Sequence, residues 1–109
     1  DGMIVKVIIE TALLTNNEKI RACEISKEAG ADYIKTSTGI GYSGANIPDI
    51  LLIKKTIGST MNIKASGGIR NLNTTLEMIN AGATKIGTST GPAIIKNLEK
   101  AIKQNLNPI

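Results

Sequence analysis

The chain has 109 residues, of which 41% are apolar and 20% charged, and its formal net charge is +4. These values predict one globular domain and exclude a long disordered polar tract. No apolar run reaches the roughly 18 residues of a membrane span, and the first ten residues lack the features of a signal peptide, so we expect a cytoplasmic protein without membrane contact.

The positive charge fits either a nucleic-acid surface or an anionic small substrate. The chain has no Trp or Phe and only two Tyr, so it lacks the aromatic platforms on which bases stack. We therefore expect a small anionic molecule, and no nucleic acid, as the partner. The single cysteine, Cys23, lies on a predicted helix in a chain without His, which favours packing over a reactive thiol.

Four β-rich runs alternate with four helical patterns. The runs predict strands at residues 4–10, 32–36, 61–65 and 84–88. Each helical pattern has a start signal, and these are Thr15 with Glu18 as a capping box, Asn46 or Pro48, Asn73, and Pro92. Glycines end the first three patterns at Gly30, Gly58 and Gly82.

The apolar residues of each helical pattern are expected to face the core. In chain order they are Ile20, Cys23, Ile25 and Ala29; Ile47, Ile50, Leu51 and Ile57; Leu76 and Ile79; and Ile94, Ile95, Leu98 and Ile102. Strict alternation of strands and helices with short connections predicts parallel strands joined by right-handed crossovers.

A near-repeat sets the length of the unit. The sequence AGADYIKTSTG at 29–39 recurs as AGATKIGTSTG, and the copies start 52 residues apart with one unit between them, so each unit has about 26 residues. A regular βα repeat of this length is typical of a (β/α)8 barrel. Four units make half of such a barrel, which needs roughly 200 residues or more.

Half a barrel would leave its first and last strands with open edges. The chain also begins with Asp1 rather than Met. We therefore expect residues 1–109 to be a fragment of a longer barrel, or a half-barrel whose edges are covered by another chain.

The alternation of side chains along a strand places Lys35 and Lys64 on the same face of the sheet. The purely apolar face is expected to meet the helices, so the two lysines would line the barrel interior on neighbouring strands about 4.8 Å apart. Desolvation and like-charge repulsion would then lower the pKa of one lysine, which is the condition for an amine that condenses with a carbonyl.

A structural alternative exists for these lysines. Each could extend to solvent or form an ion pair with Glu10 in the barrel core. Two lysines in register at the catalytic face of this fold favour the functional interpretation.

Three loops rich in glycine and hydroxyls leave the same end of the sheet, at residues 36–39, 66–68 and 88–91. Glycines let backbone N–H groups approach an anion, the hydroxyls are expected to add donors, and the N-terminus of the next helix adds its dipole. The last two loops of a barrel commonly hold a phosphate, and Arg70 would add charge there. Gly87, where the near-copy has Lys35, would leave room for that phosphate. Ordinary turn chemistry explains any one loop but less readily all three.

Residues 39–44 also read G-x-G-x-x-G, as in a dinucleotide-binding fingerprint. That fingerprint requires an acidic residue at the end of the next strand, about 20 residues further on. The chain has Asn62-Ile63-Lys64 there, which disfavours a dinucleotide site.

Four segments, KVIIET at 6–11, AGADYIKTSTG at 29–39, IKASGGIR at 63–70 and AGATKIGTSTG at 81–91, resemble the second half of deoxyribose-phosphate aldolases. The resemblance implies that residues 1–109 are the C-terminal half of a class I aldolase barrel. It implies reversible cleavage of 2-deoxy-D-ribose 5-phosphate to acetaldehyde and D-glyceraldehyde 3-phosphate, with no metal or organic cofactor.

The same resemblance implies roles for individual residues. Lys35 would be the Schiff-base lysine, and Lys64 the neighbour that lowers its pKa and helps to move protons. The positions that match the phosphate site are Gly39, Gly67, Gly68, Gly87, Ser89 and Thr90.

The chain departs from the family pattern in two respects. Ile40, where an aromatic residue is frequent, is a small and tolerable departure. The large departure is that the acidic proton-relay residue of the family lies on an earlier strand than this chain contains. Glu10 belongs to a different strand and is not expected to replace it. The chain is therefore either an aldolase half that is active only with its N-terminal half, or an inactive half-barrel with a structural or phosphate-binding function.

Overall fold

The computed structural model describes residues 2–39, 42–88 and 91–104, without the side chains of 101 and 104. Strands and helices alternate along these residues, as predicted. The strands are β1 Lys6–Ile8, β2 Tyr33–Lys35, β3 Asn62–Ser66 and β4 Lys85–Gly87. The helices are α1 Asn16–Glu28, α2 Ile47–Ile57, α3 Leu72–Ala81 and α4 Gly91–Gln104. A 3-10 helix at Thr11–Leu13 was not predicted.

The four strands form one parallel sheet in the order β1-β2-β3-β4. Consecutive strands are neighbours and a helix lies in each connection, so the predicted βα architecture is confirmed. β1, β2 and β4 are shorter than predicted, whereas β3 extends to Ser66. Within the described ranges β1 and β4 each pair with a single strand, which leaves two open edges.

Only one face of the sheet carries the hydrophobic core. Ile34, Ile63 and Ala65 have no exposed surface and pack in one cluster with residues of the helices. Cys23 of α1 belongs to this cluster, and burial, with a smaller effect of Glu24, raises the pKa of its thiol to about 11. The opposite face carries exposed or half-buried residues, which are Lys6, Ile8, Tyr33, Lys35, Asn62, Lys64 and Lys85.

Side-chain caps start the first three helices. Thr15 and Glu18 form the predicted capping box, with reciprocal hydrogen bonds of 3.2 and 2.8 Å. Asn46 caps α2 by accepting from a backbone N–H of the first turn. The prediction for α3 is wrong, because Asn71 is the cap and Asn73 already lies inside the helix. Asn71 has an extended backbone, which turns its side chain towards the N–H groups of the first turn.

The predicted inward faces of α1, α2 and α4 are partly wrong, and that of α3 is wrong. Ile25 of α1 and both residues predicted for α3, Leu76 and Ile79, are about half exposed. Ser26 and Thr75 are buried instead, because each hydroxyl donates to a carbonyl one turn earlier in its own helix (2.8 and 2.9 Å). The other residues predicted to face the core that are exposed are Ala29, Leu51, Ile95, Leu98 and Ile102.

A largely buried ion pair holds α1 against α2. Lys19 Nζ lies 2.6 Å from Asp49 Oδ1, and the two side chains are only 12% and 8% exposed. The amide group of Asn46 donates to the other carboxylate oxygen of Asp49 at 3.1 Å. Since both charges are shielded from water, loss of one partner would leave the other uncompensated.

We expect Asp49→Ala to lower the free energy of unfolding by about 3 kcal/mol, because Lys19 would keep a buried, unpaired charge. Urea denaturation measures this change. The control is Glu24→Ala, which breaks the exposed pair of Arg21 and Glu24 (3.7 Å) and should cost less than about 0.5 kcal/mol. Equal losses in the two variants would show that the helix contact does not depend on the buried pair.

Candidate active site

Lys35 and Lys64 are direct neighbours in the parallel register of β2 and β3. Both are half-buried on the face that the helices leave uncovered. β2 ends at Lys35, whereas β3 continues beyond Lys64 to Ser66. Lys85 of β4 pairs with Lys64 in the same way, so three lysines cross the sheet in one row.

The pKa of Lys64 lies below the ordinary value of a lysine. Desolvation is the largest cause, followed by the positive charges of Lys6, Lys35 and Lys85. Both effects disfavour the ammonium form. Lys6 and Lys85 lie 5.7 and 5.1 Å from the ring centroid of Tyr33, within the range of cation–π attraction. The open face therefore carries four lysines, two of which lie close to the half-buried Tyr33. The sequence predicted a lowered pKa for one lysine of the pair, and Lys64 has it.

The predicted alternative of an ion pair with Glu10 is not found among the described residues. No carboxylate of these residues lies within ion-pair distance of Lys35 or Lys64. The carboxylate of Glu10 instead accepts hydrogen bonds from Thr38, at 3.2 and 3.3 Å from the backbone N–H and at 2.7 Å from the hydroxyl. Glu10 thus binds the loop after β2 rather than a lysine.

A pocket of about 330 Å³ lies at the carboxyl ends of β2, β3 and β4. Among the predicted site residues, those that line it are Lys35, Gly39, Gly67, Gly68 and Gly87. Lys64 is not among the lining residues, and Ser89 and Thr90 lie outside the described residues. Arg70 lines the pocket, as the sequence suggested, and so do Thr38, Ser66 and Thr88 of the three predicted loops. Ile69 also lines it and was not predicted, because an apolar side chain gives no signal of an anion site.

The hydroxyl groups at this end of the sheet bind the loops to one another. Thr36 Oγ1 donates to the Ser66 carbonyl and accepts from the Ser66 N–H, both at 3.1 Å. Ser66 Oγ donates to the Ser37 carbonyl at 2.7 Å. Thr88 Oγ1 donates to the Ile69 carbonyl, which joins the loop after β4 to the loop after β3. These hydroxyls support the pocket wall, so the backbone N–H groups of the glycine loops are the better candidates for binding an anion.

Comparison with known proteins links this arrangement to one enzyme family. The chain is 60% identical over 92 residues to a deoxyribose-phosphate aldolase of Enterococcus faecalis, an alignment that covers 84% of this chain and 42% of the relative. It is 59% identical over 96 residues to a deoxyribose-phosphate aldolase of Methanothermobacter thermautotrophicus, covering 87% and 43%. The chain belongs to the deoxyribose-phosphate aldolase family. No protein-family model matches the sequence.

Solved structures agree with this assignment. A tetrameric deoxyribose phosphate aldolase from Aeropyrum pernix superposes with a TM-score of 0.82 at 33% identity, covering 90% of this chain and 42% of that one. An aldolase designated QR15 gives a TM-score of 0.85 at 48% identity, covering 88% and 43%. The predicted fold class is confirmed, since the four βα units match part of an aldolase barrel. The chain spans less than half the length of these relatives.

Gly87 occupies the position where the near-repeat has Lys35. A Cβ at Gly87 would lie 2.9 Å from the Cβ of Ser66 and 3.1 Å from the Cε of Lys64. Ser66 cannot yield easily, because its hydroxyl and backbone are hydrogen-bonded in the buried loop network. The sequence predicted that Gly87 leaves space for a phosphate. In the structure the absence of a side chain at Gly87 leaves room for Ser66 and for the side chain of Lys64.

Gly44, the third glycine of the G-x-G-x-x-G pattern, lets the loop before α2 come into direct contact with the loop after β3. A Cβ at Gly44 would lie 1.9 Å from the carbonyl oxygen of Gly67. Next to it, the Ala45 N–H donates to the carbonyls of Ser66 and Gly67 at 3.0 and 3.1 Å. This contact gives the glycine a structural purpose that does not involve a dinucleotide.

We expect Gly44→Ala to lower the free energy of unfolding by about 3 kcal/mol, because the new methyl group must displace the backbone of Gly67. Chemical denaturation measures the change, and NMR chemical shifts of Gly67 and Gly68 report the displacement of the loop. The control is Gly91→Ala, in which the nearest neighbour of the new Cβ would be the Cγ2 of Thr88 at an ordinary contact distance of 3.9 Å. Wild-type stability and unshifted glycine signals in Gly44→Ala would contradict the proposed loop contact.

Proposed function

We propose that residues 1–109 are the C-terminal half of a deoxyribose-phosphate aldolase barrel and contain its Schiff-base lysine. The reaction is the reversible cleavage of 2-deoxy-D-ribose 5-phosphate to acetaldehyde and D-glyceraldehyde 3-phosphate. The observation that carries this proposal is the in-register pair of Lys35 and Lys64 beside a pocket walled by glycine loops, in a chain of this family.

Lys35 is the proposed nucleophile, because it lines the pocket. Its neutral amine adds to the substrate aldehyde, and loss of water from the carbinolamine yields an iminium ion. The C3 hydroxyl then loses its proton, the C2–C3 bond breaks, and its electron pair is taken up by the iminium to form an enamine. Glyceraldehyde 3-phosphate leaves, and protonation and hydrolysis of the enamine release acetaldehyde and the lysine.

Lys64 is the proposed proton carrier beside the nucleophile. Its pKa is lowered by desolvation and by three neighbouring lysines, so its neutral form is more accessible at neutral pH than that of an ordinary lysine. A neutral amine next to the iminium can accept a proton and return it later in the cycle. Lys64 is the neighbour of Lys35 across the strands, which places the proposed proton carrier beside the proposed nucleophile.

The phosphate of the substrate is proposed to bind at the glycine loops. Gly39, Gly67, Gly68 and Gly87 line the same pocket as Lys35, and Ser89 and Thr90 complete the set taken from the family resemblance. Gly67 and Gly68 have φ values of 88° and 75°, a backbone conformation that favours glycine and allows N–H groups to point at an anion. Arg70 lines this part of the pocket and adds a positive charge.

Reductive trapping tests the proposed nucleophile. The chain is incubated with acetaldehyde and borohydride, and peptide mass spectrometry is expected to find ethylation at Lys35, because an imine forms there and is reduced. Lys35→Met should abolish this label, whereas Lys54→Met, on the exposed side of α2, should not change it. Labelling of Lys64 in place of Lys35 would contradict the assigned roles.

The second candidate function is that of an inactive half-barrel, structural or phosphate-binding. It is favoured by the uncovered sheet face and the two open edges found within the described ranges. The trapping experiment separates the two functions when it is repeated with and without the N-terminal half of a family member. A chain that remains unlabelled in both mixtures supports the inactive fragment.

The proposed partner of this chain is the N-terminal half of the barrel rather than a second copy. The open face carries four lysines, and none of them has a carboxylate within ion-pair distance among the described residues. A second copy closing the barrel would bring four more lysines into the same interior, where like charges repel strongly. A complement that contributes acidic side chains avoids this cost.

We therefore expect sedimentation to show a one-to-one complex when the chain is mixed with the N-terminal half of a family member, and no closed homodimer of the chain alone. High salt should make association of two copies of the chain less unfavourable, because it screens the repulsion between their lysines. A stable homodimer at low ionic strength would contradict the choice of partner.

No nucleic acid or membrane takes part in the proposed function. Among the described residues, none of the helices has both the length and the apolar character to cross a bilayer. A cytoplasmic location belongs to the same proposal, because phosphorylated sugars do not cross bilayers unaided.

A further inference from the structure

Glu10 has an unusual backbone conformation for its residue type. It follows β1 with φ 50° and ψ 69°, and within the described ranges it is the only residue other than glycine with a positive φ. The left-handed region is sterically unfavourable for a side chain such as glutamate. Such strain persists where the surrounding structure requires it, and it is concentrated at functional sites.

Backbone hydrogen bonds on both sides hold Glu10 in place. The Ile9 N–H donates to the Lys35 carbonyl at 3.1 Å, and the Thr11 N–H donates to the Thr36 carbonyl at 2.9 Å. Glu10 therefore lies between two bonds that attach this segment to the end of β2. The left-handed turn directs its side chain to the loop that follows Lys35.

The carboxylate of Glu10 binds both hydrogen-bond donors of Thr38. It accepts from the backbone N–H at 3.2 and 3.3 Å and from the hydroxyl at 2.7 Å. Hydrogen bonds to a charged acceptor are stronger than those between neutral groups. Thr38 and the adjacent Gly39 both line the pocket, so the carboxylate fixes the loop on the Lys35 side of the proposed phosphate site.

We propose that Glu10 is a positioning residue, which holds Thr38 and thereby presents Gly39 to the phosphate end of the substrate. This inference rests on the proposed function, because it assigns Gly39 to phosphate binding. Glu10 does not touch the reacting carbon in this arrangement. It governs the affinity for phosphorylated substrates and leaves the reactivity of Lys35 unchanged.

Trapping with two carbonyl compounds tests this proposal in the full chain, with the N-terminal half of a family member added. Acetaldehyde has no phosphate, whereas 2-deoxy-D-ribose 5-phosphate has one. In Glu10→Gln we expect the concentration of the phosphorylated substrate that gives half-maximal labelling of Lys35 to rise roughly tenfold, because a charge-assisted hydrogen bond is lost. The corresponding concentration of acetaldehyde should stay within about twofold of wild type.

Glu10→Gly distinguishes the effect of the carboxylate from the effect of the left-handed backbone conformation. Glycine adopts the left-handed conformation without strain, so a purely conformational role would be fully rescued in this variant. We expect the concentration of the phosphorylated substrate that gives half-maximal labelling of Lys35 to rise roughly tenfold, as in Glu10→Gln. The control is Asp32→Asn. The carboxylate of Asp32 accepts the Val5 N–H at 2.8 Å at the opposite end of the sheet, so this variant should leave the half-maximal labelling concentration of both carbonyl compounds unchanged.

Wild-type affinity for the phosphorylated substrate in both Glu10 variants would overturn the proposal, as would an equal effect on both carbonyl compounds. Amide hydrogen exchange of Thr38 provides a measurement that does not depend on catalysis. We expect it to be roughly tenfold faster in Glu10→Gln and unchanged in Asp32→Asn. If the wild type labels with neither compound, the proposed function fails, while unchanged Thr38 exchange in Glu10→Gln would still refute the loop contact separately.

Discussion

The parallel pairing of β2 with β3 is the interaction on which the geometry of the site depends. It places Lys35 beside Lys64, and it continues beyond the strand ends through the two hydrogen bonds that Thr36 and Ser66 exchange. A shift of β2 by one residue against β3 would turn Lys35 towards the hydrophobic core and Ile34 towards the open face. Because Ile34 is completely buried on the other face, such a shift is strongly disfavoured, and the two amines are held together.

The uncovered face of the sheet connects the proposed chemistry with the proposed partner. Four lysines share this face, and desolvation, followed by the charges of the other three lysines, lowers the pKa of Lys64. The property that would activate an amine therefore has an electrostatic cost in the chain by itself. The proposed N-terminal half would relieve part of this cost by contributing acidic side chains.

The hydroxyl groups and glycines of the loops have structural functions that their composition alone does not indicate. The hydroxyls of Thr36, Ser37 and Ser66 are buried and bonded to neighbouring loop groups, so they stabilise the wall of the pocket. Gly44 is required by a close contact with the loop after β3, and Gly87 by close contacts with Ser66 and Lys64 of β3. The backbone N–H groups of the glycine loops are consequently the better candidates for binding an anionic ligand.

Local spacing was sufficient for the alternation of strands and helices, the capping box at Thr15, and the shared face of Lys35 and Lys64, because each depends on residues close together in the chain. It left the start of α2 open between Asn46 and Pro48. The burial of Ser26 and Thr75 was missed because apolar periodicity does not detect polar side chains that bond to their own helix. Only the tertiary structure decided which group Glu10 binds. Its carboxylate meets Thr38 across 28 residues of sequence, and such a contact exists only after two strands have paired.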